Sequence, residues 1–245
     1  MKRSILSLIV STAMAVMSHG ALTSQLGILD LDANGGINPA TGAAWQAGDT
    51  YRLVFVSEGT IAASSTDIAT YNAFVQAEAA SSTTYTNLGT VTWTAIASTA
   101  TVNAQVNTGT ASGSSESVML INGTTIVANN YGDMWDGAVD NRINRTQNNI
   151  SRQGNFPNTP IWGSWTAVWS GTNGSGATSS ALGTSTVRHG LMQDSLNMWI
   201  TRSTSGDNTI LLPMYGMSEV LTVIPEPSSL CLAGLGGLLL LRRRR

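Results

Sequence analysis

Three short stretches of this 245-residue chain carry side chains that could do chemistry. Asp133, Asp136 and Asp140, with Asn141 beside them, form the densest acidic cluster, and carboxylate oxygens on one loop suit a hard cation such as calcium. The competing use is structural: Asp133 and the pair Asp136-Gly137 are the residue types of caps and turns, here around Trp135. Trp162, Trp165 and Trp169 could stack on sugar rings if they shared an exposed face. Helical spacing would align all three, whereas strand spacing puts Trp165 and Trp169 on one face and Trp162 on the other. The segment reads as loop and strand, so core packing is expected of at least two of them. His189, Asp194 and Ser195 are the residue types of a hydrolase triad, but they lie in a polar loop with no Gly-x-Ser-x-Gly elbow.

Two weaker patterns complete the inventory. Asp30-x-Asp32-x-Asn34-Gly35 matches the first half of a calcium loop, where alternate oxygens ring the ion and glycine permits the turn. Its twelfth position is Thr41 where a bidentate glutamate is wanted, so a solvated turn is expected. Glu58, Glu78, Glu116 and Glu219 could in principle pair for glycoside hydrolysis, but Glu78 falls on a helix and Glu219 in the closing strand. No constellation reaches catalytic spacing, so the expectation is a protein that is not an enzyme. No cofactor is called for, and calcium is the one ion that the acidic loops suggest.

The two ends read as addresses rather than fold. Met1-Lys2-Arg3, the apolar run Ile5 to Met17, and Ser18-His19-Gly20 before Ala21 make a secretory signal peptide over 1–20. Pro225-Glu226-Pro227 is followed by Ser228-Ser229, an apolar run from Leu230 to Leu241, and the cluster Arg242, Arg243, Arg244 and Arg245. Prolines flanking Glu226 stop any helix, which leaves the motif extended and accessible. A helix over Leu230 to Leu241 would reach only about 18 Å, against a hydrocarbon core of roughly 30 Å. Motif, short apolar run and arginines, in that order, resemble the PEP-CTERM sorting signal of exopolysaccharide-producing Gram-negative bacteria. The resemblance implies an exosortase-type processing enzyme as a partner, after signal peptidase and the Sec export machinery. It also implies an inner-membrane intermediate held by the tail at 225–245, with the arginines cytoplasmic.

Of the 12 basic and 14 acidic residues, Lys2, Arg3, Arg242 to Arg245 and Glu226 belong to those ends. The middle keeps six arginines against 13 acidic residues, a net charge of −7 with no lysine. Nucleic acid is thereby excluded as a partner, because phosphate binding needs clustered Lys and Arg. The lone Cys231 lies in the tail, so the body must be held by packing rather than by a disulfide.

The elements that would position these residues are legible in part. Tyr51 to Ser57 reads as a buried strand, and Ser64-Ser65-Thr66 as the N-cap of a helix running to Ala80 on Ile68, Tyr71, Phe74, Val75 and Ala79. Val91 to Ala97 reads as a strand, followed by a Ser/Thr/Gly-rich loop to Ser117. Val118 to Ile121 and Thr124 to Ala128 flank Asn122-Gly123, a hairpin signal in which both turn residues tolerate positive φ. Leu211 to Ile224 closes an exported domain over 21–224. One early helix among several short strands and long loops predicts a single α+β domain.

The segments RLVFVS, STDIATYNAFVQAEAA, WTAIAST, SVMLINGTTIVA, MWDG, VWSGT and YGMSEVLTV, in this order, resemble a C-type-lectin-like or endostatin-like domain of exported bacterial proteins. The Glu-Pro-Asn and Trp-Asn-Asp motifs that carry calcium and sugar in true C-type lectins are absent, so sugar binding does not follow from the resemblance. The expected function is a structural or interaction role at the cell surface or in an extracellular exopolysaccharide layer. The alternative is a lectin-like, calcium-assisted carbohydrate-binding module using the tryptophans and the Asp133 to Asp140 loop.

Overall fold

Tyr51, Leu53 and Phe55 point to one side of a strand and Arg52, Val54 and Val56 to the other, and all six are buried, so that strand must be covered on both faces. The computed structural model describes residues 21–111, 116–152 and 167–226. The signal segment 1–20, Trp162, Trp165, Pro227 and the tail with Leu230 to Arg245 lie outside the described residues. The chain divides into two compact units, one of Leu22–Ile224 and one of Met1–Ala21 with Pro225–Arg245. The larger unit is mixed α+β, with one main helix and many short strands.

In chain order its first half holds β1 (Leu22–Ser24), β2 (Thr50–Val56), β3 (Ile61–Ala62), α1 (Ile68–Ala80), β4 (Trp93–Ala95), α2 (Ala104–Thr108), β5 (Ser117–Leu120), β6 (Ile126–Ala128) and α3 (Tyr131–Met134). Then come β7 (Ala167–Trp169), β8 (Val187–Leu191), β9 (Ser203–Ser205), β10 (Leu211–Leu212), β11 (Tyr215–Ser218) and β12 (Leu221–Pro225). β2 is the central strand of the main sheet. On one side it pairs antiparallel with β11 and β12, which in turn meet β4 and β1, and on the other it pairs parallel with β5, whose outer neighbour is β6. A separate antiparallel sheet runs β7-β8-β9, and β3 pairs with β10.

The two faces of β2 separate two cores. Tyr51, Leu53 and Phe55 pack in a cluster with Tyr71, Val75 and Ala79 of α1 and with Trp93 and Trp169. Val54 and Val56 pack with Met134, Trp135, Trp199 and Tyr215 on the far side. Each such large apolar side chain removed from water contributes about 1.5–3 kcal/mol.

Helix α1 has the expected bounds but not the expected cap. Asp67, not Ser64, Ser65 or Thr66, is the N-cap, with its side chain accepting from Ala69 N at 2.9 Å. Ser65 acts one turn outside it, accepting from Asp67 N at 3.1 Å and bonding Thr70 Oγ1 at 2.9 Å. The Ser/Thr/Gly-rich segment is also not all loop. It contains α2, whose Asn103 caps Val106 N at 2.8 Å and whose Gly109 takes the left-handed conformation at φ 69°.

The Asn122-Gly123 hairpin forms, but only Gly123 takes positive φ, at 72°. Asn122 instead folds its side chain over the turn, its Oδ1 accepting from Thr124 N and Thr125 N at 3.1 Å each. Gly123 is further required because a Cβ there would collide with the Ile28 carbonyl. The segment 28–34 therefore lies directly on this turn, joined by Asp30 N to Gly123 O and by Asn34 Nδ2 to Thr124 O.

Candidate functional site

The acidic loop begins where β6 ends. Asn130 caps the single turn of α3 by accepting from Asp133 N at 3.1 Å. The Asp133 carboxylate then turns back, its Oδ2 accepting from Asn129 N at 2.6 Å and Asn129 Nδ2 at 2.9 Å. The same Asn129 amide donates to Asp140 Oδ2 at 3.0 Å. Asp136 Oδ1 accepts from Ala138 N at 3.0 Å in a local turn, with Gly137 at φ 109°. Asp133 and Asp140 are thus brought together around an amide, and Asp136 is spent on its own turn. Among the described residues, no group of three or more His, Cys, Asp or Glu side chains is placed to hold a metal ion. Burial and the neighbouring Asp133 charge push the Asp140 carboxyl above the usual aspartate value, with the Asn129 hydrogen bond opposing the shift.

The loop is anchored from beneath. Buried Arg52 of β2 donates from Nε to Tyr131 Oη at 2.5 Å and from Nη1 to Ser218 O at 2.8 Å. Trp135 is buried with its Nε1 on Thr110 Oγ1 at 2.9 Å and its ring 6.0 Å from that of Trp199. Val139 N and Asp140 N complete the attachment through Ser195 O and Val127 O.

Beyond Asp140 the chain forms the floor of an open cleft of about 350 Å³, lined by Leu120, Thr125, Asp140, Asn141, Arg142, Asn144, Arg145 and Ser195. The loop that continues from Asn144 and Arg145 is held by two glutamates far from it in sequence. Glu58 accepts from Thr146 Oγ1 at 2.7 Å and Asn148 Nδ2 at 3.1 Å, and Glu78 Oε2 from Gly59 N at 2.8 Å and Gln147 Nε2 at 3.0 Å. Arg152 donates to the carbonyls of Ser57 and Glu58. Burial lowers its pKa to about 10, against the opposing charges of Glu58 and Glu78, so it stays cationic at neutral pH. These groups brace the 144–152 loop against β2 and α1, and Val56 N on Arg145 O at 2.9 Å pins its start.

The remaining sequence candidates fall elsewhere. Trp169 is fully buried in β7, its indole N–H shared between Ile61 O at 3.1 Å and Ile210 O at 3.2 Å, so it is a core residue and offers no face to a sugar. All five tryptophans among the described residues are buried. His189 sits in β8, buried, and among the described residues neither ring nitrogen has a hydrogen-bond partner. Asp194 caps Leu196 N at 2.7 Å, and Ser195 lines the cleft, so these three residues form no relay. Asp30 Oδ1 accepts from Asp32 N at 3.0 Å and Ala33 N at 3.2 Å, while Asn34 bonds the hairpin turn, which makes that segment the solvated turn expected of it.

Arg142, Arg145 and Asn144 are site residues that residue type and spacing alone do not single out. The available signal was the alternation of Asn and Arg over Asp140-Asn-Arg-Ile-Asn-Arg145, where Ile143 alone is apolar and buried. At the C-terminal end, β12 carries Pro225 in extended backbone, and Glu226 N donates to Ala21 O at 2.6 Å. Among the described residues no helix is long and apolar enough to cross a membrane.

Residues 223–245 match the PEP-CTERM protein-sorting motif, and no curated protein matches the chain at a significant level. The match supports an exported protein that exosortase sorts and processes, passing through a membrane-anchored intermediate.

Proposed function

We propose that this chain is a non-enzymatic protein of the cell surface or extracellular matrix with a structural or interaction role in an exopolysaccharide layer. The observation that carries the reading is the sorting motif at 223–245. Consistent with it, four carboxylates of the described body serve its architecture: Asp133 and Asp140 close on Asn129, and Glu58 and Glu78 brace a loop. A C-type-lectin-like scaffold is the finer reading of the body. It is supported by one main helix on a sheet in which the terminal strands β1 and β12 are neighbours, and by the irregular described stretches 135–152 and 170–186.

The test is fractionation of the native host into cells, soluble medium and washed matrix polysaccharide, with the protein quantified in each. Enrichment in the matrix, lost on deletion of the exosortase gene, supports the reading. Equal recovery from soluble medium in both strains contradicts it.

Carbohydrate binding is the second reading, favoured by the open polar cleft beside Asp140. The described tryptophans do not contribute a stacking surface to it, and calcium would have to displace the Asn129 amide from Asp133 and Asp140.

A further inference from the structure

We infer that the cleft between Asp140 and Arg145 binds an acidic sugar, a uronate unit of a polysaccharide, with the Arg142 guanidinium on its carboxylate. This rests on the carbohydrate-binding form of the functional reading and names the ligand class and the residues that take it.

The cleft is open, about 350 Å³ in volume, and lined almost entirely by polar side chains, a size and lining suited to one or two sugar rings. Among the described residues the Arg142 guanidinium makes no hydrogen bond or ion pair, and it is exposed at the cleft. An arginine presents a planar fork of N–H donors that matches a carboxylate in two parallel bonds. The neutral donors and acceptors beside it suit hydroxyl groups. The Asn144 side chain and the Ser195 hydroxyl are likewise without partners among the described residues, while Asn141 spends only its Nδ2, on Ile126 O at 2.8 Å. Asp140 keeps one oxygen free of the Asn129 bond and accepts from a sugar hydroxyl.

Local contacts rather than net charge must select among anions. Asp133 and Asp136 lie near Asp140 and the body carries a net charge of −7, so no long-range attraction draws anions in. A uronate brings, beside its carboxylate, ring hydroxyls for Asn144, Ser195 and Asp140 that inorganic phosphate lacks. Arg145 lines the same wall but is partly engaged, its Nη1 on Asn149 O at 3.0 Å and Asn149 Oδ1 at 3.2 Å, so Arg142 is the principal cation. Braced by Glu58 and Glu78, the loop that presents Arg145 and Asn144 need not be ordered on binding.

The experiment is titration calorimetry on the mature protein recovered from its host, with three probes: a galacturonate trisaccharide, its carboxyl-reduced neutral counterpart, and inorganic phosphate. Saturable binding of the trigalacturonate alone is expected, weakened about tenfold or more in Arg142→Ala, as loss of a charge-assisted contact implies. Arg142→Lys, which keeps the charge without the fork, should fall between. Equal binding of the neutral sugar, equal binding of phosphate, or an unchanged Arg142→Ala affinity each overturns the proposal. Arg142 is exposed, so its variants keep the fold, and unfolding would show in their circular dichroism. If the protein is found in the matrix but trigalacturonate does not bind, the cleft assignment fails while the surface role stands. Absence from the matrix removes the surface role whatever the titration gives.

Discussion

Asp133 and Asp140 share one hydrogen-bond donor, the side-chain amide of Asn129, which reaches Oδ2 of the first at 2.9 Å and Oδ2 of the second at 3.0 Å. An amide with two hydrogens does here what a cation would otherwise have to do, holding two carboxylates close. Asn129→Ala should therefore destabilise the body by about 0.5–1.5 kcal/mol, because it removes both side-chain bonds while Asp133 keeps the bond from Asn129 N and Asp140 turns to water. Calcium at millimolar concentration should leave the wild-type melting temperature unchanged. Differential scanning calorimetry with calcium and with chelator checks both, and a clear calcium-dependent rise would show that the ion displaces the amide.

His189 gives the body a pH dependence. Burial, partly offset by the Gly190 backbone and reinforced by the charges of Arg202 and Arg188, holds its pKa below the ordinary histidine value of 6.5. The unfolded chain therefore takes up the proton first, so stability is full above about pH 6.5 and falls as pH drops toward the folded value. His189→Leu removes the titrating group. Urea unfolding at pH 7.5 and 5.5 should show a smaller acid loss for the variant than for wild type, and identical losses would place the acid sensitivity elsewhere.

At the start of α1 the cap is Asp67, so Asp67→Ala should cost about 1 kcal/mol while Ser64→Ala costs nearly nothing. Chemical denaturation of the two variants distinguishes them, and the reverse order would return the cap to the serine.

Trp169→Ala should cost about 3–5 kcal/mol as a core truncation. Trp169→Phe, which keeps most of the volume but leaves the carbonyls of Ile61 and Ile210 without their shared donor, should be milder. Neither should selectively remove glycan binding from protein that remains folded. A folded Trp169→Phe variant without glycan binding would contradict a purely structural role.

What could be read in the sequence were the features with a local cause. Helix α1 announced itself by Tyr71, Val75 and Ala79 at helical spacing, and the β5–β6 hairpin by Asn122-Gly123. The short α2 shows no period because five residues are too few, although Asn103 and Gly109 mark its two ends. The parallel pairing of β2 with β5 joins residues some 66 apart, from Tyr51 on Ser117 to Val54 on Leu120, and no local pattern encodes that partner.

The site followed the same division. The acidic residues were visible as a cluster, and their alternative use as caps and turns was open from residue type alone. The cleft was not visible, because it needs Ser195 brought to Val139 and the 144–152 loop braced by Glu58 and Glu78 from distant elements. An arginine in a polar stretch becomes informative only once its lack of an ion pair is seen in three dimensions.

The most direct test of the account is intact-mass and C-terminal peptide mass spectrometry on the protein from its native host, with membrane and extracellular fractions kept apart. The expected result is an extracellular chain that begins near Ala21, ends near the Pro225 to Pro227 motif, and disappears when the exosortase gene is deleted. A chain that retains Leu230 to Arg245 in the inner membrane of the wild-type host would contradict it.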